Sequence, residues 1–137
     1  VYHTDTPEKD AFNFPWYGRM FLNPSDTEGV WERFINKGID EYLSGNVTEA
    51  VILTNTNITG GDSFIRAVNY CNAFGFIHKP VEWNKGHWVE EVWMKRMGLN
   101  WNPPIYEKHY NCFIYLGKNK EGFKKIFSRF GVVLYGE

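Results

Sequence analysis

The sequence predicts an α/β domain with three layers, a mostly parallel sheet and an antiparallel closing strand. Three observations support this. Short apolar runs alternate with stretches of helical spacing, in the order strand, helix, strand, helix, strand over residues 20–77. The run Ala50-Val51-Ile52-Leu53 is continuously apolar, as in strands covered on both faces of a parallel sheet. The chain has 137 residues, 43% of them hydrophobic, which suits one core and a single domain over 1–137.

The elements follow in order. Residues 1–18 form an irregular lead-in broken at Thr6-Pro7 and Phe14-Pro15. Met20-Phe21-Leu22 is a short strand. A helix over 28–43 places Val30, Trp31, Phe34, Ile35, Ile39, Tyr42 and Leu43 at helical spacing, with Ser25-x-x-Glu28 as a capping box and Ser44-Gly45-Asn46 as its end. After the strand 50–53, a polar loop spans 54–61, and Asp62 or Ser63 caps a helix carrying Phe64, Ile65, Val68 and Cys71. A strand over 74–77 follows. Residues 80–110 break the rhythm as a Trp-rich insertion that holds Trp83, Trp88, Trp93 and Trp101, with a short helix over 87–97 closed by Gly98. Then come a strand over 112–116 and a helix over 122–130 with Phe123, Ile126, Phe127 and Phe130 at i, i+3, i+4 and i+7. Gly131 stops that helix, and a last strand spans 132–135.

Bulk properties narrow the function classes. A net charge of −1 is not the strongly basic balance of a protein that grips nucleic acid by charge alone, although a local patch would suffice. Aromatic residues make up 18%, which supplies both core and stacking surfaces. Cys71 and Cys112 read as buried free thiols, and His3, His78, His87 and His109 are too scattered for a metal site. No apolar run approaches the ~20 residues that cross a bilayer, and no secretory signal opens the chain. The expectation is a soluble protein of the cytoplasm.

Asn23-Pro24 is the motif that raises a chemical question. It closes a strand, and in open α/β sheets ligands bind beyond the carboxyl ends of strands. The loop at 54–61 leaves a second such end. An Asn side-chain carbonyl and a nearby backbone carbonyl can together accept from an exocyclic amino group, and proline, with fixed φ and no N–H, helps aim that carbonyl outward. An amino group held this way keeps its lone pair available for attack on a methyl donor. The structural alternative is a favoured Asn-Pro turn in which Ser25 and Asp26 cap the next helix.

The run DAFNFPWYGRMFLNPSDTEGVWERFINKGIDEY resembles the phage-type DNA N6-adenine methyltransferases. Trp16, Gly18, Phe21, Leu22, Asn23, Pro24 and Trp31 fall into that family's pattern, and AVILTNTNITGGDSF, AFGFIHKP and NCFIYLG are similar to its later elements. The resemblance implies a methyltransferase-like (Rossmann-type) sheet, S-adenosylmethionine as donor, double-stranded DNA as partner and adenine as target, in a phage-infected or lysogenic bacterial host. It implies catalytic roles for Asn23, Pro24, Ser25 and Asp26, donor contacts from Phe21, Thr54 and Asn55, and DNA contacts from Tyr17, Lys85, Lys95 and Arg96. Two departures stand out. Ser25 and Asp26 replace the family's second proline and stacking aromatic, and the family's acidic donor motif, which lies upstream, is not in this sequence. The alternative is a catalytically degenerate methyltransferase-like domain that binds nucleic acid or a protein partner.

Other candidates read as structural. Lys118, Lys120, Lys124, Lys125 and Arg129 form the wet face of the last helix, with phosphate contact as the less favoured reading. His78 follows a strand end and Asp62 starts a helix; neither is assigned chemistry. No nucleophile-elbow pattern occurs.

Overall fold

The computed structural model describes residues 10–24, 29–58, 60–78, 95–98 and 110–136. Among these residues the elements are β1 (Gly18–Leu22), α1 (Val30–Leu43), β2 (Val47–Asn55), α2 (Asp62–Tyr70), β3 (Ala73–Ile77), β4 (Asn111–Leu116), α3 (Lys120–Phe127) and β5 (Gly131–Tyr135). Single 3-10 turns lie at Ala11–Asn13 and Thr56–Ile58.

The sheet corrects the predicted fold class. Among the described residues its order is β1-β2-β4-β3-β5, and only β1 and β2 pair in parallel. β4 is antiparallel to both β2 and β3, and β5 is antiparallel to β3. This is a mixed, mainly antiparallel sheet and not a mostly parallel three-layer Rossmann-type one. Alternating strands and helices fix strand direction but not strand neighbours. β1, β2 and β3 do run the same way, yet β4 enters between β2 and β3 and replaces their one expected parallel contact with two antiparallel ones. The central place suits β4: Cys112, Ile114 and Leu116 are fully buried on one face, and Tyr115 is buried on the other.

The two faces are covered unequally. α1 and α2 pack over one face, where Trp31, Ile35 and Ile39 meet Ala50, Ile52, Ile114 and Leu116, and Phe64 and Ala67 join the same core. The steps from β1 to β2 to β3 advance in one direction across the sheet, so crossovers of one hand keep both helices on one side. α3 covers part of the other face through Phe123 and Phe127, against Phe113, Tyr115, Ala73 and Val133. Burying Phe123 contributes roughly 1.5–3 kcal/mol, and the half-buried Phe127 less.

The helix starts differ from those read in the sequence. α1 begins at Val30 behind Gly29, which sits in the left-handed region at φ 78° and offers no side-chain cap. The expected capping box at Ser25 and Glu28 lies outside the described residues. α2 begins at Asp62 behind an extended Gly61, so Asp62 and Ser63 are already inside the helix. Ser63 is buried instead, and its Oγ accepts from Asn36 Nδ2 at 2.9 Å. Arg66 completes this seam between helices, donating to Asn36 Oδ1 at 2.9 Å and to Asp40 Oδ1 at 2.5 Å. α3 ends at Phe127, and Gly131 opens β5 rather than closing the helix. Ile126 and Phe130 stay half exposed, because only Phe123 and Phe127 point at the sheet. Of the Trp-rich insertion, only 95–98 and Tyr110 at its end are described; Gly98, at φ 67°, donates to Lys95 O, as a terminating glycine does. No helix among the described residues is long and apolar enough to cross a membrane.

Candidate functional site

One edge of the sheet gathers the ends of three strands. β1, β2 and β3 finish there, and β4 and β5 begin there. Asn23 and Pro24 leave β1 at this carboxyl edge, Asn23 exposed and Pro24 half-buried. On the next strand Asn55 ends β2, opposite Asn111 of β4. Asn55 Oδ1 accepts from Asn57 N at 2.8 Å, while Thr56 donates to Tyr110 O through both its backbone N–H (2.9 Å) and its hydroxyl (3.2 Å). The rim beside Asn23 is therefore tied down by the β2–β4 pairing.

The other predicted donor contacts do not converge with it. Phe21 aligns with Val51 and Leu22 with Ile52, so Phe21 and Thr54 lie on opposite faces of the sheet. Phe21 is 62% exposed, whereas Thr54 is buried against the α1–α2 side with its hydroxyl on Asn55 O at 3.5 Å. Asn55 alone of the three stands at the rim with Asn23. Tyr17 is 67% exposed just before β1, and Lys95 and Arg96 are exposed in their helical turn. Ser25, Asp26 and Lys85 lie outside the described residues. His78 is structural: its backbone N–H and its Nδ1 both meet Phe130 O, at 3.1 and 2.9 Å, so Nδ1 is the protonated nitrogen. This bond fastens the end of β3 to the start of β5.

The opposite edge holds a constellation that no sequence motif announces. Tyr115 is buried in the central strand, and its hydroxyl donates to Glu49 Oε1 at 2.6 Å and accepts from Asn119 N at 3.0 Å. Asn72 Oδ1 accepts from Gly117 N at 2.8 Å and from Tyr42 Oη at 3.3 Å. A cavity of about 480 Å³ opens here, lined by Tyr42, Thr48, Glu49, Tyr115, Lys118 and Asn119 among others. Burial, then the Glu49 carboxylate, push the Tyr115 phenol up to about 12. A phenol so held, with its proton committed to Glu49, is a structural donor and not an acid poised for catalysis near neutral pH. Its only trace in the sequence is a Tyr in an apolar strand, and an ordinary core Tyr looks the same.

The thiols are inert. Cys71 and Cys112 are buried and free. Desolvation raises both, Cys112 to about 12, so neither is a thiolate nucleophile.

Comparisons with protein-family models, curated proteins and solved structures find no match.

Proposed function

We propose that this chain is a DNA adenine-N6 methyltransferase-like protein that holds its target adenine at the carboxyl edge of the sheet. The observation that carries the reading is the position of Asn23: exposed, at the end of β1, one strand from the tethered Asn55 rim. The Asn23 side-chain carbonyl and the Pro24 backbone carbonyl would accept from the exocyclic amino group. That leaves the nitrogen lone pair free to attack. A base reaches such an edge only when flipped out of a duplex.

S-adenosylmethionine is the methyl donor this reading requires. Asn55 fits a donor contact, and Phe21 is exposed on the same face of the sheet, but Thr54 does not fit, because it is buried on the other face. No donor-dependent step is therefore assigned to Thr54. That same observation favours a second reading, a methyltransferase-like domain that binds nucleic acid without turnover.

Calorimetric titration with S-adenosylmethionine, paired with a DNA methylation assay, separates the two. Under the first reading the chain binds the donor and methylates adenine. Asn23→Ala then abolishes transfer while changing stability by less than ~0.5 kcal/mol, as expected for an exposed residue away from packing. Transfer that survives Asn23→Ala refutes the base-holding role. Absence of donor binding and of transfer in the parent chain leaves the second reading.

A further inference from the structure

Charge on this molecule is segregated. The whole chain carries −1, yet residues 118–129 hold five cations, Lys118, Lys120, Lys124, Lys125 and Arg129, against one carboxylate, Glu121. All five cations are exposed. Glu121 is already engaged, because Tyr135 Oη donates to its Oε2 at 2.6 Å. The cations are also interleaved with rings. Lys120 Nζ and Lys124 Nζ lie 4.9 and 4.7 Å from the centroid of the Tyr135 ring, and the Arg129 guanidinium lies 5.1 Å from that of Phe130. Tyr135 is 37% exposed and Phe130 44%. A solvated helix face needs none of this: the charges are of one sign, the single acid is spoken for, and aromatic faces stand between the cations.

The topology connects this patch with the Asn23 rim. α3 starts beyond the carboxyl end of β4 and delivers the chain to Gly131, which pairs with Ile77 at the carboxyl end of β3. Arg129 and Phe130 therefore stand at the same edge as Asn23, at the far side of the sheet. Four strand spacings separate β1 from β5, about 19 Å at ~4.8 Å each. At ~3.4 Å per base step that is roughly five or six steps of a duplex.

We propose that the basic, aromatic face of α3 and β5 is a nucleic-acid phosphate-binding surface, which anchors a DNA duplex while the Asn23 edge meets the base. The favoured partner is DNA and not an anionic membrane, since the patch runs along α3 and reaches, at Arg129 and Phe130, the edge of the base-holding corner. That choice and the link to Asn23 rest on the proposed function; the basic, aromatic surface itself does not.

The test is fluorescence anisotropy of a short labelled DNA duplex titrated with the full chain, without methyl donor, at several salt concentrations. The parent should bind with an affinity that falls as salt rises. The triple variant Lys124→Gln/Lys125→Gln/Arg129→Gln should bind at least tenfold more weakly, and its log–log salt slope should be shallower by about 0.9 for each phosphate that is no longer neutralised. Arg33→Gln, which removes a cation from α1 over the Phe12 ring, should leave binding unchanged. Asn23→Ala should also retain duplex affinity, so loss of methyl transfer and loss of anchoring are read separately. Unchanged affinity and slope in the triple variant overturn the proposal, as does equal weakening by Arg33→Gln. Binding to phosphatidylserine vesicles with none to the duplex overturns it in favour of a membrane surface. Circular dichroism of the triple variant must match the parent, and single Arg129→Gln provides the same test with less surface change.

Discussion

Tyr115→Phe removes one oxygen from the centre of the polar constellation at the amino edge of β2, and its cost follows from the geometry. The hydroxyl donates to the Glu49 carboxylate at 2.6 Å and accepts from the backbone N–H of Asn119, the N-cap residue of α3, at 3.0 Å. A hydrogen bond to a charged group contributes about 1.5–3 kcal/mol, and a neutral one about 1. Glu49 is half-exposed and water can replace its lost donor, which trims the first figure. The ring itself stays, stacked on Phe123 at 4.8 Å. A net loss of about 2 kcal/mol is expected, read by urea unfolding near neutral pH. Alkaline pH gives an independent check. Folding raises this phenol from its ordinary value near 10 to about 12. A raised acid contributes stability that is complete below pH 10 and disappears as pH climbs through 12. The full shift corresponds to roughly 2–3 kcal/mol. The parent should therefore lose stability more steeply than Tyr115→Phe between pH 10 and 12. Tyr135, also raised to about 12 by its bond to Glu121, titrates in both proteins and cancels in the difference. Equal stability at neutral pH together with parallel alkaline curves would show that the Tyr115–Glu49 bond does not hold this edge together.

Two further outcomes follow from packing and burial. At Gly131 an added Cβ would run into the backbone carbonyl of Phe76, which cannot step aside without breaking the β3–β5 ladder, so Gly131→Ala should cost about 3 kcal/mol in thermal unfolding. Wild-type stability in that variant would mean that β5 does not pair in this register. With both thiols buried and raised, Cys71 and Cys112 should resist an aromatic disulfide reagent in the native protein and react fully in denaturant; rapid native labelling would contradict that burial.

Much of the local structure was legible because local rules govern it. The periodic apolar positions of α1 mark its buried face correctly at Trp31, Ile35 and Ile39. The apolar runs became β2, β3 and β4, extended by one to several residues at their ends. Where reading failed locally, partner atoms were the reason. Ser63 looks like a helix cap in sequence, yet α1 brings Asn36 to its hydroxyl. Ile126 and Phe130 share helical spacing with Phe123 and Phe127, yet Ile126 lies off the sheet-facing side of α3 and Phe130 follows the helix end, so both stay half exposed.

By itself the sequence determined the identity and direction of most elements, the burial of both cysteines and the exit of Asn23-Pro24 from the end of a strand. Those features depend on periodicity, hydropathy and turn chemistry, all of which act between near neighbours. Only the tertiary structure decided that β4 sits between β2 and β3, that Phe21 and Thr54 face opposite ways, and that Glu49, Tyr115 and Asn119 meet. Glu49 and Tyr115 lie on paired strands. Pairing depends on which apolar surfaces find cover, a competition over the whole chain that no short window of sequence records.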